Sequence, residues 1–392
     1  MTAASSYPLA DIKVLDMSRV LAGPFAGRML SDLGADVVKV EPPDGDVTRL
    51  WGQVIGGVPG YYHQQNAGKR NICIDLRAPG ARELVLDLVR KADILIENYR
   101  PDVMPRLGLG YEALKAVNPG LIMLSISGFG QGGPESHKAA YAPIIHAEMG
   151  LIHRMARRGG FAHHDLPLSV ADTNAGLHGL VGVLAALHMR ERTGLGQHVD
   201  IAMVDATIAT DDQLQYELDS SQDTAPLPSA IWTMGAGPAL VSADFRYLWR
   251  LLVQHHGMPD PTTQDMDQAA RIAARVASAT AFMARLMTWE EVEVAMAKMN
   301  LAWGRVRSGR ELADHPTLNH RGTIAQVDDR AGGTRPTTQS PYRFSDASSG
   351  VRAGAPHRGE HNAAVLADWL GEGPDVAQAF TAGGVLIDPD GA

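Results

Sequence analysis

Cysteine is almost missing from this sequence, since Cys73 is the single one among 392 residues. One thiol excludes an intrachain disulfide and a cysteine-rich zinc site, and we expect a reducing compartment. Aromatic residues are also few, at 6%, but 45% of the residues are hydrophobic and 20% are charged. This composition is typical of an ordinary globular protein with two or three domains and excludes a disordered or collagen-like chain.

A basic excess is absent too, because the net charge is −9. We therefore expect no nucleic-acid partner, and an anionic ligand would need local arginine and lysine residues. The N-terminal residues lack the basic segment and apolar run of a signal peptide, and the longest apolar stretch, residues 176–189, is shorter than the roughly 20 residues of a membrane span. The sequence thus predicts a cytoplasmic protein with no membrane partner, and a buried helix over 176–189.

Short β-branched stretches alternate with helical patterns in the first half of the chain. Strands are predicted at residues 12–18, 36–42, 70–76, 92–99 and 121–127. Strands that alternate with helices form parallel sheets with helices on both faces. The fold class that we expect is α/β, with a doubly wound, mostly parallel, Rossmann-like sheet and a smaller second domain.

Domain boundaries follow from a change in composition after Leu218, where the polar segment DSSQDTAPLPSA predicts a connector. We expect a large domain over residues 1–215, completed by about 325–392, and a smaller, mostly helical domain over 216–324. Helices are predicted at residues 172–191, 245–255, 268–287, 289–299 and 361–370, and residues 198–206 predict a strand or a strand that leads into a helix.

Gly128, Gly130 and Gly133 spell the G-x-G-x-x-G pattern directly after a predicted strand. A dinucleotide fingerprint of this kind opens a helix, but Pro134 follows here, and no acidic residue ends a second strand about 20 residues later. A flexible loop that lines a binding site is the better interpretation. The 15 histidines show none of the spacings typical of zinc ligands, so we expect no metal site.

Asp172 stands at the start of an apolar helical pattern, in SVADTNAGLHG. Two interpretations fit this position. The aspartate can be an N-cap that accepts a backbone N–H. Alternatively, the helix N-terminus can stabilise a reacting carboxylate and an oxyanion on a bound acyl group. The local sequence does not choose between them.

Basic residues follow several of the predicted strands. They are Lys39, Lys69, Arg70, Arg77, Arg100 and Arg106. Scattered surface charge is one explanation. Because open α/β sheets bind ligands at the carboxyl ends of their strands, a phosphate-rich ligand is the other.

Long blocks of the sequence form an ordered series. They are IKVLDMSRVLAGPFAGRMLSDLGADVVKVEPPDGDVTR, NAGKRNICIDLR, ADILIENYRPDVMPRLGLGYEALKAVNPGLIMLSISGFGQGGP and SVADTNAGLHGLVGVLAALHMRERTGLGQHVDIAMVDA, with HPTLNHRGTIAQVD and SPYRFSDASSGVRAGAPHRGEH near the end. In this order they closely resemble the class III coenzyme A transferases, the CaiB/BaiF group. The resemblance implies a homodimer of two interlocked chains. It also implies an enzyme that moves coenzyme A from an acyl-CoA donor to a carboxylic acid and needs no prosthetic group.

The same resemblance implies the site residues. Asp172 stands at the position of the family's covalent nucleophile. The substrate pocket is implied to contain Tyr141, Leu21, Gly128 and Gly130. Coenzyme A contacts are implied for Arg19, Val20, Ala22, Ile74, Arg77, Asn98, Tyr99 and Arg106.

Some positions depart from the family pattern. Leu21 replaces a glutamine that oxalate-using relatives carry, which argues against oxalate, and Ala139 stands where a basic residue is sometimes found. Similar racemases carry a histidine at the position of Tyr141 and pair it with the aspartate, so their two-base arrangement is not implied here. An acyl-CoA racemase or isomerase with Asp172 as a base, and a non-catalytic coenzyme A-binding subunit of a heteromer, are the alternatives.

Overall fold

The computed structural model describes residues 7–221 and 229–389. The chain divides into two compact units. The larger contains Met1–Asp211 together with Asn319–Ala392, and the smaller contains Asp212–Leu318. The smaller unit is therefore an insertion between two parts of the larger one.

The strands of both units are short. In chain order they are β1 (Lys13–Asp16), β2 (Asp36–Glu41), β3 (Val54–Ile55), β4 (Val58–Pro59), β5 (Arg70–Cys73), β6 (Ile94–Glu97), β7 (Ile122–Ser127), β8 (His198–Ala202), β9 (Ser229–Met234), β10 (Gly237–Ser242), β11 (Trp303–Arg305), β12 (Ile324–Asp328) and β13 (Thr334–Thr338).

The main sheet of the large unit has the order β5-β2-β1-β6-β7-β8, and all neighbouring strands in it run parallel. The chain starts at the central β1 and adds β2 and β5 on one side. It then returns to place β6 beside β1 and adds β7 and β8 outward. The predicted doubly wound parallel sheet is confirmed. The reversal between β1 and β6 opens a crevice outside their carboxyl ends, where sheets of this kind bind ligands.

Helices connect most of these strands. In chain order they are α1 (Ala22–Asp32), α2 (Gly60–Asn66), α3 (Ala81–Val89), α4 (Val103–Arg106), α5 (Tyr111–Val117), α6 (Ala142–Glu148), α7 (Leu151–Gly159), α8 (Val170–Thr193), α9 (Met203–Ala209), α10 (Gln215–Leu218), α11 (Phe245–His256), α12 (Gln268–Ala284), α13 (Trp289–Lys298), α14 (Pro316–His320), α15 (Asn362–Val365) and α16 (Pro374–Ala382). Short 3₁₀ segments span Val47–Leu50 and Gly309–Asp314, and a π-helical turn spans Leu366–Leu370.

Two apolar cores cover the two faces of the main sheet. Successive residues of a strand point to opposite faces, and Leu15 of β1 accordingly belongs to one core whereas Val14 belongs to the other. The first core includes α3 and Trp369 from near the C-terminus. The second includes α1 and, through Val183, helix α8. The C-terminal residues thus help to build the large unit.

Helix α8 differs from its prediction at its start. Its N-cap is Ser169, and Asp172 is its third residue, so the interpretation of Asp172 as the N-cap is wrong. Gly194 follows the helix with φ +69°, a left-handed conformation that favours glycine. By length and composition α8 could cross a membrane, as many core helices could, but in this fold it packs on α1 and the sheet.

The burial of α8 also differs, because small residues rather than leucines face α1. A Cβ atom added to Gly176 would lie 2.8 Å from the backbone oxygen of Ala22. The missing side chain therefore allows the two helices to approach closely. Leu177, Val181 and Leu184 are 43%, 65% and 37% exposed. The prediction of a buried helix over 176–189 is wrong for this outer face.

The small unit combines helices α11, α12 and α13 with an antiparallel sheet of order β11-β10-β9. The helices begin where the sequence predicted them and end within a turn of the predicted ends. The sheet was not predicted. Leu252, Met283 and Met296 lie in the core between these elements.

Candidate active site

A cavity of about 320 Å³ opens at the carboxyl edge of the main sheet, where the strand order reverses. The loops after β1, β6 and β7 form its walls, and the first turn of α8 borders it. Eight of the predicted site residues line this cavity: Arg19, Val20, Ala22, Asn98, Tyr99, Gly128, Tyr141 and Asp172. The fold therefore brings together residues that are far apart in the sequence.

The loop after β1 is held by side chains from other segments. The Asn98 side-chain amide accepts the Arg19 N–H at 2.8 Å and donates to the Arg19 carbonyl oxygen at 2.8 Å. The Asp46 carboxylate accepts the Val20 N–H at 3.0 Å. Val20 has φ +69°, a costly conformation for a β-branched residue that persists only where its surroundings fix it. This wall of the cavity is therefore preorganised.

Buried charges lie beneath the same loop. The Lys69 Nζ donates to Asp16 at 2.7 Å. The Lys39 Nζ lies 3.4 Å from Asp46 and donates to the Ser18 carbonyl oxygen at 2.7 Å. Burial alone would raise the pKa of Asp16, but the ammonium groups of Lys69 and Lys39 hold it below its usual value. Because each buried charge has a partner of opposite sign, the cost of an isolated buried ion is avoided.

Asp172 lies in the first turn of α8, where the positive end of the helix dipole favours a carboxylate. Its carboxylate accepts hydrogen bonds from the backbone N–H groups of Ala22 and Ala142, the first residues of α1 and α6. Burial raises its pKa to about 6, although the Ala142 N–H, His146 and the Ala22 N–H oppose this shift. The carboxylate is thus ionised at neutral pH and more basic than an exposed one.

A second wall of the cavity is the segment 128–141, in which every residue except Gly130 is exposed or half-buried. Lys138 lines the cavity from this segment and pairs with Glu135 and, at 3.9 Å, with Glu148. Tyr141 is 64% exposed. Lys138 was not among the predicted site residues, because the family pattern marks the next position, Ala139. A lysine close to Tyr141 in the chain was the signal that could have identified it.

The other five predicted residues do not line the cavity. Leu21 is buried as the N-cap of α1, Ile74 is buried in the core, and Gly130 has its α-carbon beside β8. Arg77 and Arg106 have side chains that are 80% and 71% exposed, and each pairs with an aspartate of its own segment. A contact of these two arginines with coenzyme A therefore requires that part of the ligand lies outside the cavity.

Glu97 is a second acid with a perturbed pKa close to the cavity. Its Oε2 accepts the Tyr99 N–H at 2.8 Å, and Ser125 also hydrogen-bonds to it. Burial raises the pKa of Glu97 to about 7. Glu97 does not line the cavity, so its contacts serve to hold the turn that presents Tyr99. Among residues 7–221 and 229–389, no cluster of three or more His, Cys, Asp or Glu side chains is arranged to hold a metal ion.

The family model of CoA-transferase family III matches residues 9–362, and the chain belongs to this family. A CaiB/BaiF family protein from Brucella suis has a similar solved structure, with a TM-score of 0.79 and 32% identity over 93% of this chain and 100% of that chain. The family resemblance seen in the sequence is confirmed. The fold, the cavity and the family together define an enzyme that transfers coenzyme A.

Curated relatives agree with this assignment. The succinyl-CoA–D-citramalate CoA-transferase of Chloroflexus aurantiacus is 33% identical over 93% of this chain and 94% of its own length. The succinate–glutarate CoA-transferase of Agrobacterium fabrum is 33% identical over 92% of this chain and 95% of its own length. The acetyl-CoA:oxalate CoA-transferase of Acetobacter aceti is 41% identical over 57% of each chain. The names share a reaction but differ in the acids.

Proposed function

We propose that the chain moves coenzyme A from an acyl-CoA donor to a free carboxylic acid through covalent intermediates on Asp172. The observation that carries this proposal is the setting of the Asp172 carboxylate, which lines the cavity and accepts N–H groups from the starts of two different helices. With a pKa near 6 it is ionised at neutral pH and is a better nucleophile than an exposed carboxylate.

The proposed reaction has four steps. The Asp172 carboxylate attacks the thioester carbonyl of the donor, the C–S bond breaks, and a mixed anhydride and coenzyme A thiolate form. The thiolate attacks the Asp172 carbonyl, which releases the donor acid and leaves an aspartyl-CoA thioester. The acceptor carboxylate then attacks this thioester, giving a second anhydride and free thiolate. Attack of the thiolate on the acceptor carbonyl releases the new acyl-CoA and restores Asp172.

These steps balance without a prosthetic group, an oxidant or water. Each attack places negative charge on a carbonyl oxygen. We expect backbone N–H groups at the start of α8 and in the loop 128–133 to stabilise that charge, because preorganised donors in a partly dry site act strongly. The exposure of Tyr141 at the mouth of the cavity suits a hydrogen bond from its hydroxyl to an acyl or carboxylate oxygen.

Coenzyme A is too long to fit wholly in the cavity. We propose that its thioester end lies against Arg19, Val20, Ala22, Asn98 and Tyr99. Its phosphates and nucleotide would then extend outside toward Arg77 and Arg106, whereas Ile74 is fully buried and does not reach them. Replacement of Arg77 or Arg106 by alanine should weaken coenzyme A binding, measured by calorimetry, because each arginine can make a charge-assisted contact with a phosphate. Arg90→Ala, which removes a surface ion pair with Asp87, is the matched control and should leave the affinity unchanged.

The acceptor is proposed to be a small carboxylic acid, as the names of the relatives suggest. A second carboxylate on that acid would find a counter-charge in Lys138 at the exposed wall. The sequence predicts that Leu21 disfavours oxalate, but this residue is buried outside the cavity, so oxalate belongs among the acids to be tested. The purified protein should be assayed with a panel of acyl-CoA donors and mono- and dicarboxylic acids, and mass spectrometry of the CoA products identifies the pair.

Racemase activity is the alternative that this assay must separate. A racemase exchanges the α-proton of a 2-methylacyl-CoA with solvent, whereas the transferase has no step at that carbon. We expect slow deuterium uptake from heavy water when no acceptor acid is present. Rapid uptake would overturn the transferase proposal, and transfer activity of the chain alone would remove the alternative of a silent subunit.

A homodimer of interlocked chains is also proposed. Leu177, Val181 and Leu184 form an exposed apolar stripe on α8, with the spacing of one helix face. Exposed stripes of this kind mark protein contacts. Light scattering should give twice the chain mass for the wild type, and Val181→Glu should lower it or cause aggregation. A wild-type monomer would contradict this proposal.

Substitution of the nucleophile tests the main proposal. Asp172→Asn keeps the shape and most hydrogen bonds of the side chain, but an amide cannot form the anhydride. We expect a folded variant with turnover reduced by several orders of magnitude, because the covalent route is lost. A variant that keeps substantial turnover would show that Asp172 does not carry the reaction.

A further inference from the structure

His146 contacts the helix that carries Asp172, and it has no role in the steps above. It belongs to α6 and is fully buried. The backbone N–H of Ala171, the residue before Asp172, donates to His146 Nε2 at 3.2 Å. Since Nε2 accepts a hydrogen bond, the proton of the neutral ring must lie on Nδ1.

The other ring nitrogen has an equally defined partner. His146 Nδ1 lies 2.8 Å from the Oδ1 atom of Asp165, which also accepts the Leu166 N–H at 2.8 Å. A carboxylate that accepts from one ring nitrogen fixes the tautomer and orientation of a histidine. The imidazole is therefore held between Asp165 and the first turn of α8.

Helix α8 needs this contact because its own N-cap does not supply it. The side chain of Ser169 makes no capping hydrogen bond. The first N–H groups of a helix have no partner within the helix, and a buried one is costly if nothing accepts it. His146 supplies the acceptor for Ala171 from a neighbouring helix.

The same helix also touches the carboxylate of Asp172. Ala142, four residues before His146, donates its N–H to that carboxylate. Helix α6 therefore contacts the start of α8 at two points, through the backbone N–H of Ala142 and through the ring of His146. We expect the position of the Asp172 carboxylate against α6 to depend on both contacts.

We propose that His146 and Asp165 are positioning residues that hold Asp172 in its reactive geometry; this rests on the function proposed above. Neither residue touches the substrate in this proposal. Their loss lets the start of α8 shift against α6, so that the carboxylate no longer meets the thioester at the required angle. A misplacement of about 1 Å is sufficient to slow a reaction by about 100-fold.

Two variants of His146 separate positioning from simple packing. His146→Leu removes both hydrogen bonds, whereas the amide of His146→Gln can accept from Ala171 and donate to Asp165. Succinyl-CoA is the probe, and hydroxylamine converts the acylated aspartate to a hydroxamate that is counted by mass spectrometry. We expect labelling of Asp172 to be about 10- to 100-fold slower in the leucine variant and within about fivefold of wild type in the glutamine variant.

The affinity for coenzyme A and a matched variant complete the test. Calorimetry should give both His146 variants a Kd for coenzyme A within about twofold of wild type, since the cavity wall after β1 is untouched. His164→Leu, at an exposed histidine beside Asp165, should label at the wild-type rate. If His146→Leu does not fold, Asp165→Ala is compared with Asp165→Asn, which keeps an acceptor for the ring, and only the alanine variant should be slow.

Three results would overturn the proposal. The first is a wild-type rate of Asp172 labelling in His146→Leu, and the second is equally slow labelling in the leucine and glutamine variants. The third is slow labelling that is explained by weaker binding of coenzyme A. In each of these the wild type is still labelled at Asp172, so the proposed function stands. Absence of label at Asp172 in the wild type would contradict the proposed function and this proposal together.

Discussion

Two of the walls of the cavity, the loop after β1 and the segment 128–141, are held in place in different ways. The loop after β1 rests on the buried pairs Asp16–Lys69 and Asp46–Lys39 and carries a strained Val20. In the segment 128–141 every residue except Gly130 is exposed or half-buried, and its lysine, Lys138, pairs with surface carboxylates. Buried ion pairs fix geometry because breaking one leaves an isolated charge, whereas exposed pairs contribute little. The first wall is suited to a constant ligand and the second to acids that vary.

Asp172 stands between these walls and depends on both. The N–H of Ala22 reaches its carboxylate from the fixed wall, and the N–H of Ala142 reaches it from the helix that follows the exposed segment. Gly176, one turn further along α8, allows the helix to come close enough to Ala22 for this contact. One rigid wall and one more exposed wall would suit a family whose members all bind coenzyme A but use different acids.

The largest effect should come from breaking a buried pair. Asp16→Ala leaves the ammonium of Lys69 buried without its carboxylate partner, and we expect the free energy of unfolding to fall by about 3 to 5 kcal/mol. Glu135→Ala removes the partner of Lys138 on the exposed wall and should change stability by less than about 1 kcal/mol. Urea unfolding measures both. Equal losses in the two variants would contradict the contrast between the walls.

The second effect concerns the pH dependence of stability at Asp172. Its pKa rises from the usual 3.8 to about 6 in the folded protein. Between these values the folded state binds the proton more tightly than the unfolded state, so this group makes stability fall as pH rises from about 4 to 6. Asp172→Asn removes that loss, which amounts to about 3 kcal/mol at 1.36 kcal/mol per pKa unit.

The measurement compares the Asn variant with wild type by urea unfolding at about pH 4 and pH 7.5. The free energy of unfolding of the variant minus that of wild type should be about 2 to 3 kcal/mol larger at pH 7.5 than at pH 4. Asp375→Asn, at an exposed aspartate of α16, should show no such difference. If the stability difference between Asp172→Asn and wild type is the same at both pH values, burial does not raise the pKa of the Asp172 carboxylate.

The third effect is on the rate. The proposed reaction needs the ionised carboxylate of Asp172, so kcat/KM should fall tenfold for each pH unit below about 6. A series of kcat/KM measurements across pH, in buffers of constant ionic strength, measures this fall on the acid side of the profile. An acid limb near 4 would show that Asp172 titrates like an exposed aspartate.

The smallest effect should come from the exposed wall. Lys138→Met should raise the KM for a dicarboxylic acceptor by only about two- to fivefold, since exposed charge contacts contribute little. It should leave the Kd of coenzyme A and the stability unchanged. Lys115→Met, on the surface of α5, is the control for loss of one positive charge. A change in coenzyme A affinity instead would place Lys138 on the constant ligand.

The sheet was predictable from the sequence because its strands are β-branched runs separated by helices, and the reversal at β1 and β6 follows from the doubly wound topology. The sheet of the small unit was not, because its strands, such as Trp303–Arg305, are short and lie among helical segments. For α8 the apolar pattern was read as a core face. The face that packs on α1 contains Gly176 instead, and the hydrophobic pattern of the sequence does not show which face of α8 approaches α1.

The site was only partly predictable, because sequence patterns show local motifs and not contacts between distant segments. Residues with a motif, such as Asp172 and Asn98, were found and do meet at the cavity. Asp46 and His146 make buried contacts with backbone atoms of other segments, and no local pattern predicts such contacts. Lys39 was a candidate for phosphate binding, but it is buried and pairs with Asp46 instead. Arg77 and Arg106 carry the expected charge, but the fold places them on the surface outside the cavity.

Direct observation of the acylated aspartate decides whether Asp172 is the nucleophile. Wild-type protein is mixed with succinyl-CoA, quenched with hydroxylamine and digested, and the peptides are analysed by mass spectrometry. We expect a hydroxamate on the peptide that contains Asp172, and none in Asp172→Asn. A label on another residue, or turnover to a new acyl-CoA without any label at Asp172, would contradict covalent catalysis by this carboxylate.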